Sequence, residues 1–302
     1  MAVLVGSCIA LLIVTGGVVI GLHVSPSQAG VPHPPSAARA TSQFGVTPLS
    51  PATTTLAPQS SSDSSDLRIS FAQLQASLGV PMGIAVMPIG GSGTPMSFGD
   101  WASGPAWSTM KVPLAIAALR QGASAAAGES IKVAITQSDN DAADVIWRGL
   151  GPPETAGSKV DTVLREAGDP TQVQSTRSRP DYSAFGQTEW SLRNQTRFLA
   201  TSACDHRSTP IFDLMGQIAG DQQWGLGAIP GARFKGGWGP LESGGYLVRQ
   251  LGVIYTNRGQ VAVAIAVQPN SGTFTDGIAQ LSQVGRWLKE HSTELPAGRC
   301  PS

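Results

Sequence analysis

Three short clusters of residues carry chemistry in this sequence. Ser108-Thr109-Met110-Lys111 puts a hydroxyl one turn before an amine, and side chains three apart on a helix share a face. A serine hydroxyl attacks a carbonyl only when a neighbour takes its proton, and a lysine whose ammonium form is disfavoured can do so. A helix N-terminus also offers unpaired backbone N–H groups to a developing oxyanion. A capping serine followed by a surface lysine would give the same pattern, but Lys111 is embedded in an apolar run of Val112, Leu114, Ile116, Ala117 and Leu119. Ser138-Asp139-Asn140 brings a second hydroxyl and an amide to a break between two helical stretches, where Asp or Asn would serve equally as a helix cap. Lys235-Gly236-Gly237 opens a strand whose glycines let another group come close to its edge. Histidine is poorly placed for the same chemistry: His23 and His33 precede the folded part, His206 lies in a polar loop and His291 near the end of the last helix.

The elements that must hold these clusters follow from apolar periodicity. A helix is expected over Leu67 to Leu78, then a buried strand over Met82 to Ile89 and a return strand over Met96 to Asp100. Ser108 to Arg120 is apolar on most sides and so is expected to be a central, buried helix. Ser130 to Leu150 contains two helical stretches hinged at 138–140, and Val160 to Ala167 is a further helix. An irregular polar stretch covers Asp169 to Gly186, and helical spacing resumes over Thr188 to Ser202. Strands follow over Arg233 to Trp238, Tyr246 to Thr256 and Val261 to Gln268, with a last helix from about Asp276 to His291. Strands at both ends and helices between them predict an α+β domain, its single antiparallel sheet built from the two ends and its helical middle forming a second lobe.

In this order the clusters resemble the signatures S-x-x-K, S-D-N and K-T-G of the penicilloyl-serine transferases, the class A β-lactamases and penicillin-binding D,D-peptidases. The order of elements around them is similar to that of the class A enzymes over 67–291. The resemblance implies an α/β/α sandwich of the β-lactamase/transpeptidase type. It also implies roles: Ser108 as acylated nucleophile, Lys111 as its base, and Ser138 as proton relay to the leaving nitrogen. Asn140 would hold the substrate amide and Lys111, and Lys235 would polarise Ser138 and attract a substrate carboxylate. The backbone N–H groups of Ser108 and Trp238 would form the oxyanion hole, with Gly237 and Trp238 lying along the substrate. Arg249 would be either a carboxylate anchor or an exposed strand arginine.

Three departures from that pattern bear on activity. Arg177-Ser178-Arg179-Pro180 stands where the class A enzymes carry their deacylating glutamate in Arg-x-Glu-Pro. Glu166 and Glu189 lie on either side of that position, which leaves Asp181 as a remote candidate base. Gly236 removes the hydroxyl in the middle of the third motif, which weakens the grip on a carboxylate. Only 30 residues separate Ser108 from Ser138, which predicts a reduced helical lobe and a more open cleft.

Composition narrows the alternatives. The 302 residues carry 20 basic and 20 acidic side chains, so the chain lacks the clustered positive charge that holds a nucleic-acid backbone. Three cysteines without metal-ligand spacing predict no metal, and no cofactor is expected. The uncharged stretch Ala2 to Leu22 reads as a membrane anchor, or as the core of a signal cleaved after Ser27-Gln28-Ala29. Residues 1–24 are thus assigned to that segment, the Pro/Ser/Thr/Ala-rich 25–66 to a disordered tether, and 67–302 to the folded domain. This places the domain at the extracytoplasmic face of the cell membrane, or in secreted form if the segment is cleaved. In such a compartment Cys204 and Cys300 form an even pair that a disulfide would join, the alternative being one buried and one loose thiol.

The expected activity is a serine acyl transfer with slow deacylation on a peptidoglycan-like, β-lactam, ester or amide substrate, by a monomer. The alternative is a catalytically degenerate β-lactamase-fold module that binds or scaffolds at the cell envelope.

Overall fold

Near-continuous apolar runs at the two ends of the domain pair with one another in the computed structural model, which describes residues 61–301. The strands are β1 (Met82–Pro88), β2 (Met96–Gly99), β3 (Arg233–Pro240), β4 (Tyr246–Thr256) and β5 (Gly259–Val267). They form one antiparallel sheet in the order β2-β1-β5-β4-β3. The β1–β5 pairing, with Ile84 opposite Ile265, is the seam where the N-terminal and C-terminal portions of the domain meet.

Alternation along the strands sorts two faces. Val248 packs against the last helix, α8 (Phe274–Glu290), at Gly277. On this face Phe71 of α1 (Ser61–Leu78), Phe98 of β2 and Trp287 of α8 form an aromatic cluster with ring centroids 5.1–6.0 Å apart. Small residues, Ala85, Ala264 and Ala266, occupy the other face and pack with Trp101, Trp107 and Leu192. There α6 (Leu192–Ser202) lies against β1, β4 and β5.

The helical lobe is built on α2 (Lys111–Arg120), whose residues from Lys111 to Ala118 are all buried. Around it pack α3 (Ala125–Thr136), α4 (Asn140–Gly149), α5 (Pro153–Glu166) and α7 (Thr209–Met215). Ser124 and Asp139 cap α3 and α4 through their side chains, so the hinge expected at 138–140 is the cap of α4.

The α+β class and the sheet shared by the two ends are as expected, whereas several boundaries differ. Helix α1 begins at Ser61 rather than Leu67, taking in the last residues assigned to the tether. Helix α5 starts at Pro153, whose fixed φ and missing N–H suit the first helical position, well before Val160. Helix α7 falls after Ser202 and before the strands, where no element was expected. Cys204 and Cys300 are joined in a disulfide with Cα atoms 5.2 Å apart.

The anchor or signal expected over residues 1–24, and most of the tether, lie outside the described residues. Among the described residues no helix is long and apolar enough to cross a membrane.

Candidate active site

Ser108 sits on a 3-10 turn, Trp107–Met110, that runs directly into α2. In a 3-10 turn side chains three apart eclipse, so Ser108 and Lys111 lie one above the other. The backbone before the serine is held in an uncommon conformation, with Trp107 at φ 50°. Several contacts impose it. Thr109 Oγ1 donates to Ala106 O and accepts from Gln195 Nε2 at 2.9 Å. From the sheet, Arg249 Nη1 reaches the carbonyls of Gly104 (2.8 Å) and Pro105 (2.9 Å), and its Nη2 reaches that of Trp190 (2.8 Å).

The edge strand β3 closes the other side. A Cβ on Gly237 would lie 2.9 Å from both Ala106 O and Ser108 N, so only glycine lets the strand lie against the serine-bearing turn.

Both lysines converge on Ser138. Lys111 Nζ donates to Ser138 O at 2.6 Å and to Asn140 Oδ1 at 2.8 Å. Lys235 Nζ donates to Ser138 Oγ at 2.8 Å and to Gly236 O at 3.0 Å. Ser138 itself has φ 59°, a left-handed conformation unusual for a residue with a Cβ, which presents its carbonyl to one lysine and its hydroxyl to the other. Burial lowers the pKa of Lys111 to about 7, against the smaller opposing fields of Asp139 and Asp144. Burial likewise pushes Lys235 well below the usual lysine range, and the charge of Lys111 adds to the shift.

Ser108, Ser138, Asn140 and Trp238 open together into a cleft of about 660 Å³. The remainder of its wall includes Trp107, Asp141, Asp144, Arg177, Asp181, Tyr182, Gly239 and Tyr246. Lys111 and Lys235 lie beneath this wall, 2% and 0% exposed. Apart from Asp181, the aromatic and acidic members of this remainder were not singled out in the sequence. Adjacency to Ser108 and to Arg179-Pro180 was the only signal for Trp107 and Tyr182.

Arg249 is neither a carboxylate anchor nor an exposed strand arginine. It is fully buried on the α6 face of the sheet, stacked 5.2 Å over the ring of Trp101, and burial lowers its pKa to about 9. Its three carbonyl partners make it an internal brace for the segment leading to Ser108.

Arg179 is also engaged. Its guanidinium lies 5.0 Å over Trp107 and 4.5 Å over Tyr182, and its Nη1 donates to Pro240 O at 2.9 Å, tying the 169–190 loop to the end of β3. Gly236 faces Trp224, whose Cη2 would lie 2.9 Å from an added Cβ, so the place of the missing hydroxyl side chain is filled by an indole. Of the carboxylates considered, Asp181 lines the cleft. Glu166 pairs with Arg120 and Arg207, and Glu189 accepts from Ser103 Oγ. No group of His, Cys, Asp and Glu among the described residues could hold a metal ion.

No family model matches the sequence, and no curated protein does. Solved structures match the fold. TLA-3 extended-spectrum β-lactamase superposes with TM-score 0.63 at 15% identity, covering 76% of this chain and 99% of that one. The chromosome-encoded β-lactamase of Vibrio parahaemolyticus gives 0.57 at 16% identity, covering 76% and 99%. An ancestral class A β-lactamase gives 0.56 at 20% identity, covering 74% and 99%. The chain therefore has the β-lactamase fold across essentially the whole length of those proteins. At these identities the likeness is one of fold alone.

Proposed function

We propose that this chain is a serine acyl-transfer enzyme of the β-lactamase/D,D-peptidase type, held at the extracytoplasmic face of the cell membrane by its N-terminal segment, or secreted if that segment is cleaved. The observation that carries this reading is the buried Lys111 amine. A neutral amine has two N–H bonds and one lone pair. Ser138 O and Asn140 Oδ1 account for both N–H bonds, leaving the lone pair as acceptor for the Ser108 proton.

In the acylation step Ser108 Oγ bonds to the carbonyl carbon of an amide, ester or β-lactam while its proton passes to Lys111. The backbone N–H groups of Ser108 and Trp238 receive the oxyanion. As the carbon–nitrogen bond breaks, the leaving nitrogen takes the Ser138 hydroxyl proton. The Lys235 bond occupies a lone pair of that hydroxyl and leaves its proton free, and the flanking amines replace the proton once it is given. Asn140 and the β3 edge at Gly237 and Trp238 orient the substrate.

Deacylation is slow in this scheme, because Arg179 stands in place of a general base and is spent on Trp107, Tyr182 and Pro240. The same two features, Arg179 and the indole filling the space beside Gly236, favour the second reading, a binding or scaffolding module.

The test is intact-protein mass after incubation with a penicillin and, separately, with a fluorophosphonate, using Ser108→Ala as control. An adduct on the wild type alone supports the enzyme. Its formation rate rises with pH through about 7, as Lys111 loses its proton, and falls away below that. No adduct from either reagent on a folded protein gives the binding module.

A further inference from the structure

We infer that the cleft is built for a substrate carrying a positively charged group near the bond to be acylated, rather than the carboxylate that the third motif would otherwise attract. The inference rests on Ser108 being the nucleophile and adds the charge class of what it attacks. Three independent features of the site point the same way.

The first is that, among the described residues, the cations at the cleft are already committed, Arg179 to Trp107, Tyr182 and Pro240 O. Lys235 has no exposed surface and bonds Ser138 Oγ and Gly236 O. Arg249 is consumed by three buried carbonyls, and Gly236 has no hydroxyl to assist. Arg177, on the cleft wall, lies 3.4 Å from Asp144 and also donates to Pro180 O at 3.3 Å.

The second is the sign of the wall. Asp141, Asp144 and Asp181 face the cleft against the single guanidinium of Arg177. The fields of Asp139 and Asp144 reach as far as the Lys111 amine, so the negative potential extends to the reacting centre.

The third is aromatic. Trp107, Tyr182, Trp238 and Tyr246 line the same cleft; the first two already hold the Arg179 guanidinium, and Trp238 and Tyr246 remain beside the carboxylates to receive an ammonium or guanidinium group of a ligand. Burial raises the pKa of Tyr246, and Tyr182 adds to the shift, so that phenol remains a neutral wall.

The experiment compares acyl-enzyme formation by matched thioesters: 4-(trimethylammonio)butyryl, its neutral isostere 5,5-dimethylhexanoyl, and 4-sulfobutyryl. Binding of the corresponding unreactive amides is followed in parallel by quenching of tryptophan fluorescence. The cationic thioester should acylate about tenfold faster than the neutral one, and the anionic one slower than either. The cationic-to-neutral ratio should fall toward one in the variant combining Asp141→Asn, Asp144→Asn and Asp181→Asn, and in high salt. Equal rates, a preference for the anion, or a ratio unchanged in that variant would overturn the inference. If neither a thioester nor a fluorophosphonate modifies Ser108, the enzyme reading fails. The charge preference is then decided by the amides, where the cation binding tighter upholds it and equal or anion-favouring affinities refute it.

Discussion

Replacing Lys111 with methionine should make the domain more stable, and the gain should shrink as pH rises. Free in an unfolded chain the amine keeps its proton to pH 10.5, whereas in the fold it gives the proton up at about 7. Between those values the unfolded state binds more protons, so wild-type stability increases with pH. The destabilisation is complete below pH 7 and disappears above 10.5. A gap of this size corresponds to roughly 5 kcal/mol at low pH, falling to about 2 kcal/mol by pH 9. Methionine fills a similar volume without that penalty, but strands the carbonyl of Ser138 and the amide oxygen of Asn140, at about 1 kcal/mol each. Asn140 is exposed and recovers its bond from water, which reduces the loss. The net expectation is a gain of about 2–3 kcal/mol at pH 7, read by urea denaturation of residues 61–302 at pH 7 and pH 9, together with complete loss of the Ser108 adduct. A variant less stable than wild type at pH 7, or a gain that does not diminish by pH 9, would refute the idea that this lysine is held neutral at the expense of the fold.

Other substitutions probe the remaining supports. Gly236→Thr restores the hydroxyl of the third motif but drives a Cβ into Trp224, so it should cost about 1–3 kcal/mol and fail to improve penicillin acylation; a stable variant with faster acylation would contradict this packing. Ser138→Gly and Ser138→Ala both lose the bond from Lys235, yet glycine alone relieves the left-handed backbone. The glycine variant should therefore be about 1 kcal/mol the more stable by thermal denaturation, and equal melting temperatures would count against strain at this position. Arg249→Leu strands three carbonyls in the interior and should cost about 3 kcal/mol or more; a melting temperature unchanged from wild type would remove its role as brace. Cys204→Ser with Cys300→Ser opens a loop closed over 96 residues and should cost about 2–4 kcal/mol without altering the Ser108 adduct; a smaller shift in denaturation midpoint would mean the ends are held by packing alone.

Much of this was legible in the sequence because local signals and global architecture agree. The apolar run behind Ser108 announces a buried helix, and Lys111 within it announces an amine out of water. The strands flanking the helical middle announce a sheet made from both ends. What escaped notice is what depends on distant partners. Arg249 alternates with apolar neighbours on β4 and looks the same whether its guanidinium meets a ligand or three carbonyls 59 to 145 residues away. Gly237 read as room for a ligand, whereas in the fold the approaching group is the turn that carries Ser108. Arg179 marked the absence of a base, and its stacking on Trp107 and Tyr182 could be known only once the loop was folded. Helix α7 is too short to show a period, and the start of α5 was hidden by Gly157 and Ser158, which weaken its pattern.

The seam between β1 and β5 has a consequence for how the molecule comes into being. Residues 82–88 lack their main partner until residues 261–267 have been made, and the turn bearing Ser108 lacks its brace until Arg249 arrives. Pairing over such sequence separations forms late and slowly. A growing chain therefore carries its serine without an aligned neighbour and its two lysines still in water, protonated and inert. On the proposed mechanism, reactivity therefore waits for closure of the sheet, and a nascent chain ending before residue 267 would not acylate itself or anything near it.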